Sequence, residues 1–155
     1  MYKQCLGIFL LLAGAPLAFN ASPESIHGKW HNGRVSSIQY KNAYTNAPAP
    51  TNGSSFAWEF REDGTYSFTG LMQSVMYQCT TSVFSNETGK YTVEGDVVSL
   101  KPEKNPYKMT NNCAPSSNKE APGKIIDRSY RFKVDASRLE LVASDGGVMT
   151  YARSK

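Results

Sequence analysis

The feature that most constrains this chain is a period of two. Beyond residue 54, apolar and polar side chains alternate in short runs that break at turn residues every eight to twelve positions. Downstream of an apolar N-terminal stretch, no segment sustains a 3.6-residue apolar period. Such alternation lays one row of side chains on each face of a half-buried β-strand. Residues 55–61 (SFAWEFR) put Phe56, Trp58 and Phe60 on one face. Glu62-Asp63-Gly64-Thr65 then reverses the chain, because Asp-Gly tolerates the positive φ of tight hairpin loops. The return run carries Tyr66 and Phe68 on one face, with Ser67 and Thr69 on the other.

The same grammar recurs downstream. Residues 89–93 (GKYTV) and 96–101 (DVVSLK) join through Glu94-Gly95, and 128–134 (RSYRFKV) sets Tyr130, Phe132 and Val134 on one face. Asp135-Ala136-Ser137 leads into 138–143, where Leu139 and Leu141 alternate with Arg138 and Glu140. Asp145-Gly146-Gly147 leads into 148–153. Less regular strands are expected over 34–41 and 72–84. The total is eight or nine short antiparallel strands linked mostly by hairpins, an all-β fold. At 155 residues the chain is the size of one domain.

A meander of this length leaves unpaired edges unless it closes on itself. An up-and-down barrel is therefore the expectation. A β-sandwich is the other closure, but it calls for long crossover connections. Only one long connection appears, over 102–127, with Pro102, Pro106, Pro115 and Pro122 as breakers. It reads as an irregular loop that shapes one end of the barrel. A second irregular stretch covers 42–54.

The N-terminus reads as an export signal. Lys3 precedes the apolar run 6–15 (LGIFLLLAGA), too short for the roughly 20 residues a spanning helix needs. Cleavage after Ala18 would place Pro16, and cleavage after Ala21 would place Phe19, at the third position back, so neither site is ideal. Taking the second site, 1–21 is a secretory signal and 22–155 the exported domain, secreted or periplasmic, with no membrane span. Cys5 leaves with the signal, and Cys79 and Cys113 remain. Two thiols in an oxidising compartment pair, which predicts a Cys79–Cys113 disulfide.

Gly28-Lys29-Trp30, just ahead of the first strand, resembles the G-x-W opening of lipocalins and related calycin barrels, and DGTYSF followed by GKYTVEGDVVSLKP resembles small bacterial lipocalin-like domains. The resemblance extends over 28–153. It implies a barrel whose base is closed by an arginine near the C-terminus packing over the opening tryptophan, here Arg153 over Trp30. It also implies binding of a small hydrophobic or amphipathic ligand. The helix that usually follows a lipocalin barrel has no counterpart after Arg153, and the two tryptophans are too few for an avidin-type biotin site.

The aromatic faces decide what such a barrel does. Phe56, Trp58, Phe60, Tyr66, Phe68, Tyr91, Tyr130 and Phe132 form either a filled core, the commoner outcome, or the walls of an apolar cavity. Cavity walls would make this a non-enzymatic ligand-binding protein. A filled core would leave a secreted interaction module, meeting a protein or cell-envelope partner through the basic 102–127 segment. From Lys101 to Lys133 there are eight Lys and Arg against three acids, on a chain of net charge +4. Export argues against a nucleic-acid partner. No nucleophile elbow, phosphate loop or metal-binding motif is present, so neither catalysis nor a cofactor is expected. His27 and His31 lack a third ligand nearby, so no metal is expected either. N-x-S/T triplets begin at Asn20, Asn52 and Asn86.

Overall fold

The computed structural model of the protein describes residues 25–33, 40–41, 48–49 and 52–154. The stretch expected to be an export signal, the Asn20 triplet and most of 34–51, including most of the strand expected over 34–41, lie outside the described residues. Twelve strands are described: β1 (Gly28–Gly33), β2 (Tyr40–Lys41), β3 (Pro48–Ala49), β4 (Gly53–Phe60), β5 (Thr65–Met76), β6 (Cys79–Glu94), β7 (Val97–Lys104), β8 (Pro106–Asn111), β9 (Lys119–Pro122), β10 (Arg128–Val134), β11 (Arg138–Val142) and β12 (Val148–Arg153).

Eight of them close a ring in the order β5-β4-β1-β12-β11-β10-β7-β6, with β6 returning to β5. Every contact in the ring is antiparallel, so the chain forms an up-and-down barrel rather than two facing sheets. β2 and β3 pair only with each other. The seam between β1 and β12 is short, with Trp30 opposite Arg153 and His31 opposite Ala152. Two further bonds reinforce it. Asn32 Nδ2 donates to the Thr150 carbonyl at 2.5 Å, and Ser154 N donates to the Lys29 carbonyl at 2.8 Å.

Two expectations fail here. The irregular strand over 72–84 is a hairpin bend: β5 runs to Met76, turns through Tyr77 and Gln78, and returns as β6. Both turn residues have positive φ, 48° and 76°. Tyr-Gln lacks the Gly or Asn that usually betrays such a turn. The supposed loop over 102–127 also contains strand: the end of β7, then β8 and β9, joined by a connection with a 3-10 turn at Pro115–Ser117. β7 and β8 run in the same direction along β6, which pairs with β7 through Thr88–Glu94 and with β8 through Thr81–Ser85. β9 pairs back on β8 and leads into β10, which pairs back on β7.

Residues 97–134 are thus a second long hairpin laid beside the first. The outer halves of both continue past the barrel rim as a four-stranded extension, β5-β6-β8-β9. Prolines hid this. Pro106 and Pro122 face each other in register across β8 and β9, and β9 is an edge strand, where a missing N–H costs no ladder bond. The two hairpins part at a bulge between Thr88 and Gly89. There β7 comes so near that a Cβ on Gly89 would overlap the Lys101 carbonyl.

Cys79 and Cys113 form a disulfide, with 5.4 Å between their Cα atoms. It ties the first residue of β6 to the connection after β8, at the far end of the extension. Asn112 adds to the staple. Its Oδ1 accepts from Thr80 N at 2.6 Å and its Nδ2 donates to the Gln78 carbonyl at 3.3 Å.

Candidate functional site: the barrel mouth

The two ends of the barrel are built differently. One end holds the turns at 61–64, 94–96 and 135–137. There Trp30, Phe60, Leu100, Leu139 and Leu141 are fully buried, each such side chain contributing about 1.5–3 kcal/mol. The Arg153 guanidinium lies 4.1 Å from the Trp30 ring centre, a cation–π contact. It donates to the carbonyls of Ala136 at 2.9 Å and His27 at 3.2 Å. Trp30 Nε1 donates to the Ile26 carbonyl at 2.8 Å. Gly28 sits beneath the guanidinium at φ +126°, and a Cβ there would stand 2.8 Å from Arg153 Nη1. Gly28, Trp30 and Arg153 thus form one plug, with Gly28 making room for the cation, while Lys29 points outward to Glu59.

Above that floor the aromatics interlock. Trp58 stacks on Phe60 at 5.4 Å and tilts against Phe68 at 4.5 Å, while Phe60 meets Tyr91 edge-on at 5.1 Å. Five of the eight aromatics on the inward faces, Trp58, Phe60, Tyr66, Tyr91 and Phe132, are buried. The other three, Phe56, Phe68 and Tyr130, are only partly buried, as is Met149 beside them. The lower lumen is therefore filled with side chains, and the aromatic tier nearest the rim remains accessible.

A polar group is built into that upper tier. Glu87 is 2% exposed. Its Oε1 accepts from the Tyr66 hydroxyl at 2.7 Å and pairs with Arg128 Nη2. Burial, and then the bond to Glu87, push the Tyr66 phenol well above its ordinary pKa. Burial also raises Tyr91, whose hydroxyl donates to the Arg61 carbonyl at 2.7 Å. It raises Tyr151 as well, against the opposing influence of the Trp58 indole N–H. Arg128 remains 32% exposed on its side chain, although its Nε is buried without a hydrogen-bond partner among the described residues and its Nη2 is held by Glu87.

Glu87 and Arg128 were not among the sequence-derived candidates, although the signal was present. Arg128 shares strand parity with Tyr130 and Phe132, and Glu87 shares it with Tyr91, which places both on inward faces. His27 meets Tyr91 edge-on at 6.3 Å, and His31 Nδ1 lies 3.1 Å from Ser154 Oγ. Among the described residues, no three His, Cys, Asp or Glu side chains are grouped so as to hold a metal ion. Of the N-x-S/T triplets, Asn86 is exposed on β6, while Asn52 Oδ1 accepts from Val75 N at 2.5 Å. No helix among the described residues is long and apolar enough to cross a membrane.

At the joint between barrel and extension, Gly123 N donates to the Asn105 carbonyl and Asn105 Nδ2 to the Lys124 carbonyl. A groove of about 530 Å³ opens there, lined by Lys104, Pro106, Glu120, Pro122 and Ile125 among others. Scans of protein-family models and of curated proteins gave no match to this chain.

Proposed function

We propose that this is an exported, non-enzymatic binding protein of lipocalin-like type that takes a small amphipathic molecule at the barrel mouth. The observation that carries the reading is the contrast within the lumen. A sealed floor lies beneath a half-buried aromatic tier that holds a partly exposed cation, Arg128, whose buried Nε lacks a partner among the described residues. The apolar part of the guest would rest on Phe56, Phe68, Tyr130 and Met149, at roughly 25 cal/mol per Å² buried. A polar or anionic end would meet Arg128. The Trp30–Arg153 plug supports the calycin resemblance, and the disulfide supports export.

The test uses anilinonaphthalene sulfonate, an aromatic anion, titrated against the purified protein. Saturable one-to-one uptake that quenches tryptophan emission is expected. The double variant Glu87→Gln/Arg128→Met avoids stranding a buried carboxylate. It should weaken uptake about tenfold, the scale of a charge-assisted hydrogen bond. Uptake unchanged in that variant would overturn the reading.

A second reading, an interaction module working through residues 102–127, is favoured by one observation: Ile125, exposed in the lining of the groove with Lys104, Glu103 and Glu120, is followed by the exposed Ile126. Charge reversal at Lys104, Lys108 and Lys124 separates the two, since it would disturb this surface and leave dye uptake intact.

A further inference from the structure

We infer that the four-stranded extension docks, tip first, on a lipid surface containing anionic lipid. This inference does not rest on the barrel ligand, and it gives the second reading a definite partner. The first observation is the tip itself. Tyr77 is 94% exposed and Met76 66% exposed, at the apex of the β5–β6 hairpin. Tyr77 sits at φ 48°, a conformation that Asn or Gly adopts at far lower cost. A large ring held out to water on a disfavoured backbone is best explained by what it meets outside the molecule. Tyrosine suits the bilayer interface, where its ring and hydroxyl both find partners.

The second observation is charge. The chain holds 17 Lys and Arg and 13 Asp and Glu, yet none of these lies between Gly64 and Asn86 or between Met109 and Asn118. Among the described residues, those two segments and Asn52 supply the outer end of the extension, and none of them is charged, so none would have to lose the water around a charge there. Behind this neutral end comes a belt of lysines. Lys119 is in register with Met109, and Lys108 with Phe84. Lys104 and Lys124 follow at the joint, against Glu103 and Glu120 in the same stretch. Lys119 and Lys108 are level with Met72 and Leu71, roughly 17–20 Å behind Tyr77 at ~3.4 Å per residue, and Lys104 and Lys124 stand farther back. Lys108 Nζ lies 4.0 Å from Glu120 and Lys119 Nζ 5.9 Å from the Tyr107 ring centre; both contacts are at the surface, so docking would exchange them for lipid headgroups.

The opposite end is mixed in charge: its three turns carry Glu62, Asp63, Glu94, Asp96 and Asp135 beside Arg61, with Arg138 and Arg153 against the last of them. Attraction to an anionic surface therefore rests on the lysines behind the tip.

Two details set the depth. The extension is an open sheet whose outer backbone groups need water, so its tip lies in the headgroup region and does not enter the hydrocarbon. The outer edges are also closed to a further strand. Val75 N is taken by Asn52 Oδ1, and β9 carries Lys119 and Pro122. The Cys79–Cys113 bond holds the tip in shape beforehand, which reduces the ordering cost of docking.

The experiment is co-sedimentation of the full chain with phosphatidylcholine vesicles, with and without phosphatidylglycerol at about one lipid in three. All variants share the same N-terminal sequence, so differences report the substituted side chains. Binding should be at least tenfold stronger to the anionic vesicles and should fall with added salt. The Lys108→Glu/Lys119→Glu variant should lose at least tenfold. Tyr77→Asn suits the turn and preserves the fold, and should lose several-fold. Equal or absent binding to both vesicle types overturns the inference. So does concentration-dependent self-association that Tyr77→Asn abolishes without any vesicle binding, because a second copy then covers the tip. Dye uptake in the same samples reports the barrel mouth separately, so either reading can fail alone.

Discussion

The sealed floor of the barrel and the tip of the extension lie at opposite ends of the same β5–β6 hairpin, yet they obey different rules. At the floor, Tyr66 and Tyr91 are buried, and the Tyr91 hydroxyl bonds to a turn carbonyl. At the tip, Tyr77 is almost wholly exposed on a backbone that disfavours it. The floor is stabilised by apolar burial that every neighbouring strand shares. The tip is held by one covalent bond and a few side-chain amides. A single strand pair can thus supply a rigid core at one end and a presented surface at the other, provided a local staple replaces the missing core.

The sharpest way to break this comparison is to remove the plug. Trp30→Ala should cost about 3–5 kcal/mol, the range for deleting a large buried aromatic, and denaturant unfolding measures it. A loss below about 1 kcal/mol would mean the floor carries far less than its burial implies. Next comes the staple. Replacing Cys79 and Cys113 together by serine should cost up to about 3.5–4 kcal/mol for a closed loop of this length. Amide exchange should accelerate in β8, β9 and the outer parts of β5 and β6, while the floor strands keep their protection. Equal acceleration everywhere would show that the two regions unfold as one unit.

The third test is alkaline. The Tyr66, Tyr91 and Tyr151 phenols have raised pKa values in the folded barrel. Their contribution is therefore complete below the ordinary phenol pKa of about 10 and is lost as pH rises above it, when the unfolded chain releases those protons first. Absorbance titration should show these three ionising only as the barrel unfolds. Ionisation in one smooth step with the fold intact would contradict their burial. This is the smallest of the three effects.

The barrel could be read from the sequence because its strands announce themselves twice, through alternation and through turns such as Asp63-Gly64 and Gly146-Gly147. β10 and β12 were readable to the residue for that reason. The extension could not be. Its turn is Tyr-Gln, its strands alternate methionine and valine with threonine and serine too weakly to stand out, and its four prolines read as breakers. Pro106 and Pro122 are compatible with strand only because they lie opposite each other near a sheet edge, a fact of tertiary register. The Glu87–Arg128 pair was overlooked for a different reason. Charged residues were assigned to the solvent face by type, when parity with Tyr91 and Tyr130 put these two inside. The Cys79–Cys113 pairing needed only arithmetic and compartment.

The brevity of the β1–β12 seam has a consequence for biosynthesis. Trp30 and Arg153 meet from far apart in the sequence, so the ring cannot shut until β12 has left the ribosome. Until then the nascent chain presents the unpaired rims of β1 and of whichever strand has formed last. A holding factor along the route, or quick completion after release, would keep those rims from pairing with other chains.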